Sequence, residues 1–192
     1  MADVSPNLDA LAGCEILVGV SGGIAAYKAA YLVSALARAG AGVSVVMTAS
    51  AKRFVTPLLF HALSGRPAFD DLWTAPEGHP APHIALAERA EVVAVAPATA
   101  DLLAKAAHGI ADDLLTSTLL AVEAPLVLAP AMNERMWKHP AVQANCEALR
   151  GRGAALVGPK EGRLACGEEG TGRMAEPDEI LAAIARALEP RA

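Results

Sequence analysis

Short apolar runs alternate with stretches of helical period along most of the chain. Glu15-Ile-Leu-Val-Gly-Val20, Val43-Ser-Val-Val-Met47, Glu91-Val-Val-Ala-Val-Ala96, the run from Ala124 to Ala129 and the run from Ala154 to Val157 are short and nearly unbroken. Valine-rich runs of this kind mark strands buried on both faces. Helices fill the intervals. One opens from the turn Ser21-Gly-Gly-Ile-Ala-Ala-Tyr-Lys28 and runs to Arg38, where Gly40 and Gly42 close it. A second covers Ser50 to Leu63 with Phe54, Leu58 and Ala62 on one face, and Pro57 predicts a kink or a late start. Pro82 to Leu86 begins a short helix. Lys105 to Ala111 is helical, and Asp112 and Asp113 cap the next helix. The last two cover Pro140 to Arg150 and the stretch from Glu176 to Leu188. Ser64 to Pro82 reads as an irregular surface loop. Gly162, Gly167, Gly170 and Gly172 predict a mobile substrate flap over 162–174. Strands alternating with helices predict an α/β, three-layer parallel sheet, with 1–192 as a single domain.

Composition narrows the partners. The chain is 54% hydrophobic but only 4% aromatic, so alanine and valine build the core, as thin, closely spaced layers require. A net charge of −5 argues against nucleic acid, which favours a basic face. No run of about 18 apolar residues is present, so no membrane partner is expected. Met1 to Gly13 carries Asp3 and Asp9 and no basic start, unlike a signal peptide. Cys14, Cys146 and Cys166 are odd in number and lack metal spacing; no metal is expected, and free thiols fit a cytoplasmic protein.

The candidate chemistry lies where strands hand over to helices. In open α/β sheets ligands bind at the carboxyl ends of the strands. Three such turns converge: Ser21 to Ala25, Pro97 to Asp101, and Pro130 to Asn133. The first suits a phosphate, because glycine lets the backbone approach a helix N-terminus. Gly19, Gly22 and Gly23 do not make G-x-G-x-x-G, and Met47-Thr48-Ala49-Ser50 has no acid for a ribose, so NAD is disfavoured. The Thr48 and Ser50 hydroxyls suit a monophosphate or cap the next helix. Asn133 is either a helix N-cap or a ligand contact. Among His61, His79, His83, His108 and His139, only His83 ends the Pro-rich loop, where it is expected to face a cleft. The chain has no G-x-S-x-G elbow, P-loop lysine or H-E-x-x-H, which disfavours simple hydrolase and NTPase readings. One phosphate, a ribityl chain and a flat ring needing small neighbours make FMN the best-fitting ligand.

Ser21-Gly-Gly-Ile-Ala-Ala-Tyr-Lys28, Pro82-His83-Ile84, Ala96-Pro-Ala-Thr-Ala-Asp101, Pro130-Ala-Met-Asn-Glu-Arg-Met-Trp137 and Leu164-Ala-Cys-Gly-Glu-Glu-Gly-Thr-Gly-Arg-Met174 resemble the homo-oligomeric flavin-containing cysteine decarboxylases. The resemblance implies a flavodoxin-like (Rossmann-like) fold. It implies FMN at a subunit interface, and a homotrimer or a dodecamer of trimers. The cofactor set is then Ser21, Gly22, Gly23, Ile24, Ala25, Thr48, Ser50, Ala98, Thr99, Ala100, Asp101, Leu102, Ala131 and Met132. His83 is the implied acid/base. Asn133 holds the substrate carboxylate, with Met136, Ala165, Arg173 and Met174 also on the substrate side. Cys166 is the implied proton donor.

The implied reaction oxidises a cysteine thiol toward a thioaldehyde, loses CO2 to an enethiolate, and re-reduces it. The complete Leu164 to Gly167 stretch favours 4'-phosphopantothenoylcysteine as substrate, in coenzyme A biosynthesis, over a ribosomal peptide whose enethiol is left unreduced. A flavin prenyltransferase shares only the glycine turn. Phosphatase-binding relatives carry long acidic tails, whereas this chain ends in the basic-tipped helix Arg186 to Ala192. Many bacterial members carry a fused phosphopantothenoylcysteine synthetase. The chain ends at Ala192, so it is expected either to stand alone or to be the first domain of such a protein.

Overall fold

In the computed structural model, residues 8–74, 81–163, 167 and 169–189 are described. The parallel sheet is built from β1 (Glu15–Val20), β2 (Gly42–Met47), β3 (Ala68–Phe69), β4 (Val92–Ala98), β5 (Leu126–Pro130) and β6 (Ala155–Leu156). Its order is β3-β2-β1-β4-β5-β6. Without the two-residue edge strand β3, the remaining five strands follow the flavodoxin order.

Alternation along each strand explains the three layers. Ile16, Val18 and Val20 of β1, with Val43, Val45 and Met47 of β2, pack on α1 (Ala26–Arg38), α2 (Pro57–Ser64) and α8 (Pro177–Leu188). Leu17, Val46, Val93, Val95 and Leu128 face the other side, against α3 (Pro82–Arg89), α4 (Ala100–His108), α5 (Leu114–Ala121) and α7 (Pro140–Gly151). Successive side chains of a strand point to opposite faces, so a strand covered on both sides must be largely apolar. Gly19 serves this packing. A Cβ there would stand 2.6 Å from Leu115 Cδ1, so the position makes room for α5.

Two predicted segments differ. The stretch from Ser50 to Leu63 is a 3-10 turn, Ala51–Arg53, followed by α2. Thr56 caps α2 by accepting from Leu59 N–H, and Pro57 is its first residue, so the late start is the observed form. The stretch 162–174, read as a flap rather than a packed element, overlaps an antiparallel pair, β7 (Lys160–Arg163) and β8 (Glu169–Arg173). Residues 164–166 and 168, with Ala165 and Cys166, lie outside the described residues.

Arg66, between α2 and β3, grips Glu15 of β1 with both guanidinium arms, at 2.5 and 2.8 Å. That hydrogen bond, then the Arg66 charge, holds the Glu15 carboxyl below its ordinary value of 4.5 against the opposing effect of burial. A lowered folded value stabilises above the unfolded value, and the increment is lost as pH falls through the folded one. The side chains are 31% and 36% exposed, so solvent screening keeps the pair at about 0.2–1 kcal/mol. Arg66→Met is expected to lower stability by that amount at neutral pH and to flatten the loss below pH 4.5. Denaturant melts across pH 3–7 measure both effects.

Candidate functional site

Strand order reverses between β1 and β4, and their carboxyl ends open the crevice expected at such a switch point. Ser21 locks the two ends together. It is buried, its Oγ donates to the Pro97 carbonyl at 2.7 Å, and it accepts from Thr99 N–H at 3.1 Å. Above it lies a cavity of about 1090 Å³, lined by all three strand-end turns. Small-molecule sites span roughly 300–1,000 Å³, so this cavity stands at the upper end of that range.

From the first turn, Ser21, Gly22, Gly23, Ile24 and Ala25 line the cavity. No side chain caps α1 at Ala25, which leaves the helix N-terminus facing an open space. Thr48, Ala49 and Ser50 line the adjoining wall. Thr48 does cap, accepting from Ala51 N–H at 3.2 Å; Ser50 makes no cap. A Cβ on Gly22 would collide with the Cβ and backbone of Ser50, so these two turns touch only because position 22 has no side chain.

From the second turn, Thr99, Ala100, Asp101 and Leu102 line the cavity. Thr99 caps α4, accepting from Leu102 N–H at 3.4 Å. Ala98 departs from the expectation: as the last residue of β4 it points into the layer of α4 and α5, is fully buried, and does not line the cavity.

The third turn contributes Ala131, Met132, Asn133 and Met136. Asn133 is the N-cap of α6 (Glu134–Trp137), its Oδ1 accepting from Arg135 N–H at 2.8 Å, and it also lines the cavity. The N-cap reading holds, and the residue lines the cavity where the alternative reading would need it. The β7–β8 hairpin is fastened to this motif. Met132 N–H donates to the Gly172 carbonyl at 3.0 Å, and Thr171 N–H to Glu134 Oε1 at 3.2 Å. Arg163, Gly172 and Arg173 form the hairpin's share of the lining, with Met174 just past it; Met174 is otherwise core, at 1% exposed.

His83 is not in this cavity. It occupies the first turn of α3, half-buried on a helix rather than facing the cleft of its own chain. Its Nδ1 is buried with no hydrogen-bond partner among the described residues. Such an atom in a native fold calls for an explanation.

The sequence reading passed over Tyr27, Lys28, Lys105, Asp113, Thr116 and Arg163, all of which line the cavity. Asp113 is indeed a cap, accepting from Thr116 N–H at 2.7 Å. Lys105 sits between Asp112 at 3.0 Å and Asp101 at 3.3 Å. Its hydrogen bond to Asp112 raises the Lys105 pKa and lowers that of Asp112. Lys28 lay inside a recognised motif; Lys105 and Arg163 had no diagnostic spacing. Cys146 is buried and burial pushes its thiol up, as for an inert core cysteine. Among the described residues, no helix is long and apolar enough to cross a membrane.

The Flavoprotein family model matches residues 4–189. The coenzyme A biosynthesis bifunctional protein CoaBC of Vibrio cholerae is 48% identical over 184 residues, covering 96% of this chain and 46% of that protein. CoaBC of Mycobacterium tuberculosis is 49% identical over 175 residues, covering 91% of this chain and 41% of that protein. The chain thus spans less than half the length of these relatives. Two solved structures align over nearly their whole length. SpaF, an FMN-dependent cysteine decarboxylase, matches at 38% identity and TM-score 0.81, covering 92% of this chain and 98% of that one. A cysteine-to-serine mutant of a PPC decarboxylase, complexed with pantothenoylaminoethenethiol, matches at 33% identity and TM-score 0.83, covering 93% and 100%. With a family model matched from near its first residue to near its last, and a cavity built from the turns that model spans, this chain belongs to the Flavoprotein family.

Proposed function

We propose that this chain is an FMN-dependent decarboxylase that converts 4'-phosphopantothenoylcysteine to 4'-phosphopantetheine in coenzyme A biosynthesis. The observation that carries the reading is the convergence of three small-residue turns on one large cavity, in a chain that aligns over the full length of a PPC decarboxylase. The residues present fit FMN. The uncapped α1 N-terminus, the Gly22 cradle and the Thr48 and Ser50 hydroxyls suit its phosphate. Thr99 to Leu102, with Ala131 and Met132, offer a wall of modest side chains for the ring. Bound there, FMN supplies two-electron oxidation of the substrate's thiol-bearing carbon and the later return of those electrons.

The chain's own residues supply orientation and protons. Asn133 holds the substrate carboxylate through its amide; an uncharged donor grips it without the charge that would resist its loss as CO2. His83 acts as general acid/base. Because it lies outside its own chain's cavity, we infer that copies assemble so that a neighbouring copy's His83 completes the site. Ile24, Tyr27 and Met136 at the cavity rim are 62%, 52% and 48% exposed in the lone chain, an apolar border suited to such a subunit contact. A trimer, alone or in a dodecamer, is the assembly inferred. Cys166, between β7 and β8, is assigned the final protonation. A thiol of ordinary pKa, about 8.5, is protonated at neutral pH and can donate.

Incubation of the purified protein with 4'-phosphopantothenoylcysteine, following CO2 and product mass, tests the reading. The expected product is the saturated amine. A persistent enethiol would instead favour the peptide-modifying branch, and no CO2 would remove the decarboxylase assignment.

A further inference from the structure

We propose that Arg163 recognises the terminal phosphate of the substrate; the proposal rests on the decarboxylase reading above. Among the described residues, four cationic side chains line the cavity: Lys28, Lys105, Arg163 and Arg173. Lys105 is neutralised between Asp101 and Asp112. Lys28 and Arg173 share a single carboxylate, Glu176 Oε1, at 2.8 and 2.9 Å. Arg163 has no ion pair among the described residues, although Glu169 stands opposite it in the hairpin register. Lys28, Arg173 and Arg163 against Glu176 therefore leave two positive charges among these four groups, and neither hairpin carboxylate, Glu161 nor Glu169, lines the cavity. A phosphate monoester carries about −1.5 to −2 at neutral pH, which matches.

This surplus is not needed by the cofactor's phosphate. The β1–α1 turn already offers neutral donors, and Lys28 is drawn away from that turn to the Met174 carbonyl and Glu176. The hairpin backbone makes room for Arg173 against the strand that carries Arg163. Gly162 has φ +140°, and a Cβ there would lie 2.6 Å from Arg173 Nη1, so the Arg173 guanidinium rests on the backbone next to Arg163. A planar guanidinium binds phosphate through two parallel hydrogen bonds, which lysine cannot reproduce. Arg163 thus sets specificity for a phosphorylated over an unphosphorylated substrate.

The test compares wild-type holoenzyme with Arg163→Gln and Arg163→Lys on phosphopantothenoylcysteine and on pantothenoylcysteine. Wild type is expected to prefer the phosphorylated substrate. Arg163→Gln raises its KM about tenfold to a hundredfold, the range for losing a charged hydrogen bond, with kcat and flavin content unchanged. Its kinetics on pantothenoylcysteine stay at the wild-type level, and Arg163→Lys falls between. Equal losses on both substrates, no wild-type preference, or loss of bound flavin each overturn the proposal. Wild-type inactivity on both substrates overturns the decarboxylase reading itself, a separate result.

Discussion

Replacing His83 by asparagine is expected to lower decarboxylation by about 10²- to 10⁴-fold while bound flavin persists, the range for removing a positioned general acid/base. The side chain is outside its own chain's cavity and belongs to none of the turns proposed to hold FMN, so cofactor retention is not expected to depend on it. Loss of flavin absorbance in the purified variant would assign His83 a structural part instead. The shared-site assembly makes a second, sharper expectation. His83→Asn and Asn133→Ala are each inactive alone, but mixed oligomers made by co-expression regain turnover, because one interface then holds an intact histidine and an intact asparagine. Failure of mixing to restore activity, with mixed oligomers verified by mass, places both residues in one chain's own site.

Gly22→Ala carries the other large effect. The added methyl meets the Ser50 backbone, so either the β1–α1 turn or the Thr48–Ser50 turn must move. Overpacking typically costs about 1–3 kcal/mol. Expressed as affinity, that is roughly fivefold to more than a hundredfold weaker FMN binding. The protein is expected to purify colourless, yet to melt cooperatively, since the strain falls on two surface turns and spares the layers beneath. Absorbance and a thermal melt report the two properties separately. Full flavin content in Gly22→Ala would show that this turn is not where the phosphate sits.

The sheet was the most legible part of the sequence. β1, β2, β4 and β5 lie within two residues of their predicted starts, because burial on both faces leaves an apolar run with little ambiguity. β3 was invisible: two residues at a sheet edge, inside a proline-rich stretch, carry no period. The hairpin was hidden by its glycines, which lower strand propensity even where the backbone pairs. The turns of the site were readable because each combines a strand end with small residues and a cap. What could not be read was direction. Nothing in the spacing says that His83 turns away from its own cleft, that Ala98 faces the core, or that Lys28 and Arg173 share one carboxylate while Arg163 lines the same cavity. Those facts arise from the packing of segments far apart in sequence.

The two hydrogen bonds joining β8 to the Met132 backbone and the Glu134 carboxylate have a thermodynamic consequence. They bridge the element that carries Asn133 and the strand that carries Arg173, so neither can be ordered or loosened independently of the other. Linkage then makes the coupling reciprocal. A group that gains affinity by settling Asn133 raises affinity at the hairpin by the same factor, and a phosphate held at the hairpin tightens the grip on the carboxylate at the far end of the same substrate. With the roles proposed above for Asn133 and Arg163, the clasp would make recognition of the substrate's two ends a single cooperative event, with discrimination at the remote end expressed at the end that reacts.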